Sequence, residues 1–305
     1  MAIVADEDYA ARWNIDHPNH SFLYQLSVVT MFHNSALYLR ESIAYHMLVG
    51  VEHFYLCDNA STDDYLPILK PYIDAGIVEL SMSSRMGLSG DDWFQNMYAP
   101  FDDETIARTR GVVHWLACLD SDEFMVPVKA GSLTEVFNQP KFSKHGGISL
   151  NWQTYGSNGI QRLGPKDLLT EQMNRRAAVD TAVNYHLKVV VQPHFTLRWN
   201  GHMAIYESGY GATTTACDED TTTVPFSKRV CVDEVCINHY YIGDMDHWIK
   251  NKEPYLRNVW GVRGVADARR AVIATESNDV EDNVMRRWIP ALKHAVLSQN
   301  PLSVL

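Results

Sequence analysis

The stretch LACLDSDEFMVP, Leu116 to Pro127, ends an apolar run on Asp120, Ser121, Asp122 and Glu123 and then turns apolar again. Carboxylates are costly to bury without a partner, so a cluster between two greasy segments must be solvated, paired with bases, or holding a cation. Other chemistry-bearing groups stand in similar settings. His33 and Asn34 follow the run LSVVTMF, Asp58 closes the run HFYLCD, and His239 sits inside CINHYYI. Acids, amides and imidazoles that collect where apolar runs stop are the groups that bind and activate a polar ligand.

The elements that must position them follow from pattern. Leu26 to Phe32 is β-branched and apolar, as in a central parallel strand. From Ser35, apolar side chains at Leu39, Ile43 and Met47 predict a helix that Gly50 closes. A second strand ends at Asp58, Ser61 or Thr62 is placed to cap the next helix, and IVEL makes a third strand. Strand, helix, strand, helix, strand is a βαβ signature, whose ligands sit at the carboxyl ends of the strands. WLACLD supplies a further strand, which puts the acidic cluster on the same rim as FHN and DNASTD. GGISLNWQTYGSNG reads as a strand and a Gly-rich loop, with shorter strands near YHLKVVVQ, HMAIY and CINHYYI and a mostly helical segment from Asp244 onward. Tyr210 to Val224 is polar and β-branched, a surface loop or edge hairpin.

Composition narrows the partners. The 305 residues carry 26 basic and 37 acidic side chains, a net charge of −11, which disfavours a nucleic-acid binder but leaves room for a nucleotide whose phosphates are neutralised locally. Five cysteines form no CxxC pair; Cys57 and Cys118 fit buried thiols, and the odd count suggests a reducing compartment. The acidic, polar N-terminal stretch is unlike a secretion signal and no run of 18 apolar residues occurs. The expectation is a cytoplasmic protein without a membrane span, peripheral to a membrane at most through a molecule it acts on.

In order and spacing, VVTMFHNSALYLRESIAYHMLVGVEHFYLCDNASTDD, WLACLDSDEFMVP, ISLNWQTYGSNG, YHLKVVVQP and INHYYIGDMDHWIKNK resemble the family 92 glycosyltransferases and related family-2-like enzymes. The resemblance implies an α/β fold of GT-A type: a Rossmann-like, mostly parallel sheet flanked by helices, with residues 1–266 as the catalytic domain and 267–305 as a helical extension packed on it. It implies a nucleotide-sugar donor, UDP before GDP or dTDP and with galactose as a candidate sugar, and a glycan, lipid-linked or protein-linked saccharide acceptor. DSDEF becomes the DxD element, with Asp122 a metal ligand, Asp120 facing ribose, donor sugar or metal, and His239 the remote ligand. Phe32 and Asn34 would line the nucleoside pocket and Asp58 would accept from the base. Arg85, Arg108, Lys188 and Arg263 are candidates for the phosphates. Mn²⁺ or Mg²⁺ suits carboxylate, phosphate and water, and an imidazole tilts the choice toward Mn²⁺. The plain alternatives are a core histidine at 239 and an edge-strand lysine at 188.

The resemblance also implies inversion, which needs a base at the acceptor hydroxyl. Glu171 matches the acidic position, with Asp167 as fallback, although a surface pair with Arg175 at i,i+4 explains Glu171 equally well. Trp152 and Tyr155 are candidates for stacking on an acceptor sugar, and Gly156 and Gly159 for close backbone approach. Two other functions fit clustered acids and a histidine: a metal-dependent hydrolase, and a carbohydrate-binding protein that has lost its chemistry.

Overall fold

The computed structural model describes residues 20–83, 99–143, 145–207, 213–221, 224–257 and 278–298. Its first half follows the alternating pattern: β1 (Tyr24–Phe32), α1 (Ala36–Leu48), β2 (His53–Asp58), α2 (Leu66–Asp74), β3 (Val78–Met82), α3 (Ala99–Thr109) and β4 (Val113–Cys118). These four strands pair in parallel, in the order β3-β2-β1-β4. Both faces are covered, so β1 and β2 read as nearly unbroken apolar runs, as buried parallel strands must.

The second half makes the sheet mixed. β5 (Glu123–Pro127), α4 (Leu133–Phe137), β6 (Gly147–Thr154), β7 (Arg175–Arg176), β8 (Leu187–Val191), β9 (Thr196–Trp199), β10 (Ala204–Tyr206), β11 (Thr213–Thr215) and β12 (Val235–His239) follow. The main sheet continues from β4 through β8, β6 and β12 to β5, with antiparallel pairing at β4–β8, β6–β8 and β5–β12. β11 joins β6 in parallel, so Thr213–Thr215, expected in a surface loop or edge hairpin, is a buried strand. β13 (Val280–Glu281) pairs with β7, and α5 (Ile289–Leu297) packs against α1 as the helical segment near the C-terminus.

Two local expectations are corrected. Ser61 and Thr62 do not cap α2, which begins at Leu66 without a side-chain cap. Their hydroxyls are engaged by the loop after β1 instead: Ser61 Oγ accepts from Asn34 N–H at 2.9 Å and Thr62 Oγ1–H donates to Asn34 Oδ1 at 3.3 Å. Asp63 instead reaches across to the first turn of α1 and accepts from Ala36 N–H at 2.7 Å. The loops after β1 and β2 therefore hold each other. The second correction concerns cysteine. Cys57, Cys118 and Cys236 are buried thiols, but Cys217 and Cys231 are joined in a disulfide, with Cα atoms 5.9 Å apart. Such a bond runs against the reducing compartment that the odd count suggested.

His46 ties α1 to β5. Its Nδ1–H donates to the Ser42 carbonyl at 2.8 Å and its Nε2 accepts from Met125 N–H at 3.2 Å, which fixes a neutral tautomer. Burial lowers its pKa from 6.5 to about 4, and burial lowers His114 to about 4 as well. A base whose folded pKa lies below its unfolded value contributes stability that is complete above the unfolded pKa and is lost as pH falls through the folded one. Urea unfolding should therefore show stability falling between pH 6.5 and pH 4, with His46 alone contributing on the order of 3 kcal/mol. His46→Leu should be less stable than wild type at pH 7 and show a flatter acid slope.

Candidate active site

The rim on which the sequence placed its polar groups encloses a cavity of about 350 Å³. Met31, Phe32 and His33 approach from the end of β1. Asp120, Ser121 and Asp122 come from the turn between β4 and β5, Trp152 from β6, Lys188 from β8 and His239 from β12. Tyr241, His247, Asn251, Lys252 and Tyr255, from the chain after β12, complete one wall.

The acidic turn is paired with bases on both sides. Lys188, buried in the interior of the sheet rather than on an edge, lies 3.4 Å from Asp120 and 3.1 Å from Glu123. Burial alone disfavours its ammonium, but Asp120 and Glu123 outweigh that and hold its pKa well above the ordinary lysine value. Burial raises the Glu123 carboxyl above its ordinary range even though Lys188 draws it down. The two donors on its Oε2, Lys188 at 3.1 Å and Asp120 N–H at 2.8 Å, are what favour its ionised form. Asp120 N–H donates to Glu123 Oε2 at 2.8 Å, so the carboxylate folds the turn as well as pairing the lysine. Lys252 donates to Asp122 Oδ2 and, at 2.6 Å, to the Tyr241 carbonyl, and stands 4.1 Å from the centre of the Tyr241 ring. Burial opposes its charge, yet Asp122 raises its pKa. A π-helical turn over Trp248–Lys252 delivers it to the cavity.

His239 Nε2 stands 3.7 Å from Asp122 Oδ1. Burial, then Lys252, lowers the imidazole pKa well below its ordinary value, so the ring is neutral and offers a lone pair. Trp152 packs on it with ring centroids 4.5 Å apart. Among the described residues no group of three His, Cys, Asp or Glu side chains could by itself hold a metal ion. Asp122 and His239 nevertheless fit one that takes its remaining ligands from phosphate and water, the usual arrangement where a divalent ion meets a nucleotide. A neutral nitrogen and a carboxylate oxygen, both acceptors, face each other there.

The other sequence candidates divide. Phe32, Asp120, Lys188 and Trp152 line the cavity. Asn34 lines an adjoining one of about 360 Å³, and its backbone stands at φ 50° between the two loops it bridges. Asp58 lines neither cavity: its Oδ1 accepts from Ser61 N–H at 2.9 Å and its Oδ2 from Tyr65 O–H at 3.0 Å, so both oxygens hold the turn. Tyr155 is core, packed on Tyr240 at 4.6 Å. A Cβ on Gly156 would meet Asn278, so the close approach made there is by the protein's own side chain. Glu171 accepts from Lys293 at 2.6 Å rather than pairing with Arg175, and Asp167 accepts from Gly164 N–H at 2.7 Å; neither lines either of these two cavities. Arg108 pairs with Glu79 on the exposed side of β3. Arg85 and Arg263 lie outside the described residues. Sequence reasoning missed Lys252, although it closes the segment INHYYIGDMDHWIKNK that carries part of the family resemblance.

The glycosyltransferase family 92 model matches residues 24–251. The chain belongs to glycosyltransferase family 92. Its mixed sheet flanked by helices, with a helical segment near the C-terminus, is a GT-A-like fold. A family 92 protein of Ricinus communis is 25% identical over 142 residues, covering 46% of this chain and 24% of that protein. One of Arabidopsis thaliana is 26% identical over 212 residues, covering 61% and 34%. This family 92 chain thus matches about a quarter to a third of the length of these relatives. The crystal structure of S. aureus TarS 1–349 in complex with UDP superposes with a TM-score of 0.38 at 13% identity, over 90% of this chain and 70% of that 1–349 chain. That distant likeness carries no part of the functional reading. Among the described residues no helix is long and apolar enough to cross a membrane.

Proposed function

We propose that this protein is a metal-dependent glycosyltransferase that binds a nucleoside-diphosphate sugar, UDP-linked by preference, in the cavity between Phe32 and Lys252. The observation that carries the reading is the charge arrangement at Asp122. Its two oxygens face a lysine on one side and a neutral imidazole on the other, inside a cavity with a second buried lysine. As the anomeric carbon–oxygen bond breaks, negative charge grows on the departing diphosphate. Asp122 and His239 would hold Mn²⁺ or Mg²⁺, which supplies Lewis-acid stabilisation of that charge. Lys252 and Lys188 add two fixed positive charges in a partly dehydrated site, where each is worth more than in water. Phe32, backed by Tyr65 at 5.0 Å, and the His33 ring offer flat surfaces to a base or sugar. Trp152 lines the same cavity, with its ring stacked on His186 at 4.7 Å. The acceptor is a glycan or a lipid- or protein-linked saccharide, by family resemblance. The proposal assigns the donor half of the reaction. Inversion also needs a base opposite the leaving group, and Glu171 and Asp167 stand outside the cavity lining.

The test is a donor panel with Mn²⁺, reading released nucleoside diphosphate. Release from one UDP-sugar, abolished by EDTA, supports the reading. Silence across the panel together with absence of UDP binding contradicts it. A carbohydrate-binding protein without chemistry would bind and not turn over.

A further inference from the structure

Glu123 has no role in the scheme above, yet it is the most enclosed charged group of the site. Its side chain is 0% exposed, and strand pairing sets it directly opposite His239 across the β5–β12 ladder. Its two oxygens differ. Oε2 takes Asp120 N–H and Lys188, while Oε1 is buried with no hydrogen-bond partner. His239 Nδ1 is likewise buried without a hydrogen-bond partner, and the two lie 4.0 Å apart. At that separation they are not bonded, but each is the nearest complementary group across the strand pair from an atom with no hydrogen-bond partner.

A neutral imidazole has one proton and two nitrogens to place it on. If Nδ1 were bare, its lone pair would face a buried carboxylate oxygen, and two acceptors would be left opposed in a dry site. Asp122 Oδ1, the acceptor near the other nitrogen, lies on the cavity wall, where water reaches it. The proton is therefore worth more on Nδ1, and Nε2 is left with its lone pair directed toward Asp122.

We propose that Glu123 is the positioning residue of this site: it accepts from His239 Nδ1–H and so holds the imidazole as an Nε2 donor toward a cation shared with Asp122. Its other oxygen anchors Lys188 and the Asp120 backbone, so one carboxylate sets the orientation of three groups around the cavity. Carboxylates that accept from a metal-binding histidine commonly act in this way. The role toward a cation rests on the transferase reading. The tautomer itself does not, and it can be measured with no nucleotide or metal present.

The experiment uses the full chain with ¹⁵N-labelled histidine. Long-range ¹H–¹⁵N correlation spectra report the tautomer, and His239 is assigned by the signal lost in His239→Gln. Wild type is expected to carry the His239 proton on Nδ1. In Glu123→Gln the amide oxygen must face the two donors, Asp120 N–H and Lys188, which turns the amide NH₂ toward His239. The proton should then move to Nε2. Titration of Mn²⁺ in the presence of UDP, followed by EPR of the free ion, should show binding about 10–100-fold weaker in this variant. A wild-type proton on Nε2, or an unchanged tautomer in a folded Glu123→Gln protein, overturns the proposal. So does unchanged Mn²⁺ affinity. If Glu123→Gln does not fold, the wild-type spectrum alone decides between the two tautomers. Failure of the transferase reading would show separately, as wild-type protein that binds neither UDP nor Mn²⁺.

Discussion

Asp122→Asn should lower release of nucleoside diphosphate by about a thousandfold or more, an effect of the size found when a charge-stabilising group is removed from a reaction site. Asn keeps the shape of the side chain but removes the charge that faces both His239 and Lys252. The fold has little reason to change. The contact that joins this turn to the strand beyond it is the Asp122 carbonyl accepting from Tyr240 N–H at 2.9 Å, and the substitution leaves it in place. Removing one carboxylate from a cluster that also holds Asp120 and Glu123 relieves some like-charge repulsion as well. Loss of the charge partner of Lys252 should lower thermal stability somewhat, yet the variant should remain folded at assay temperature while turnover collapses and UDP binding loses its metal dependence. Turnover within tenfold of wild type would mean that Asp122 has no part in departure of the leaving group.

Lys252→Met should lower donor kcat/KM by about a hundredfold, with a large share of the loss in donor affinity. Lys252 is positive, mostly buried, and fixed by the Tyr241 carbonyl and ring as well as by Asp122. On the proposed reading, the same ammonium would stand beside the diphosphate of the bound donor and balance its charge. A lysine that served only to neutralise Asp122 would behave differently. In that case Asp122→Asn and Lys252→Met would be strongly non-additive, because either change alone would break the one pair. Contact with the phosphates gives Lys252 a separate contribution, and the double variant should be weaker in UDP binding than Asp122→Asn alone. Lys252→Arg, which keeps the charge in a different shape, should recover part of the loss.

How much of this was legible in the sequence varies with the kind of information needed. The βαβ half was legible because buried parallel strands are apolar throughout and α1 repeats its apolar residues at helical spacing. The DxD turn was legible because an apolar strand that stops on clustered acids can only stop at a rim. Lys252 was not, since its position depends on the π-helical turn at Trp248–Lys252 and on contacts with Tyr241 and Asp122 that no local pattern specifies. Asp58 and Glu171 show the opposite failure. Their residue type and their place near strand ends or loops suited a ligand, but local hydrogen bonds to Ser61 and Tyr65, and a distant lysine, Lys293, had already engaged them. Periodicity shows which residues reach the rim. It does not say which neighbours have reached them first, and the same limit hid the Cys217–Cys231 bond and the buried strand Thr213–Thr215.

The central claim is that the cavity at Asp122 receives a nucleoside diphosphate with a divalent ion. Calorimetric titration of UDP into the protein, with Mn²⁺ and then with EDTA, tests it most directly. The account predicts saturable binding of one UDP per chain that weakens at least tenfold without the metal and that, in Asp122→Asn, stays at this weaker level with or without Mn²⁺. UDP that fails to bind, or binds equally with and without Mn²⁺ and in the variant, would contradict it.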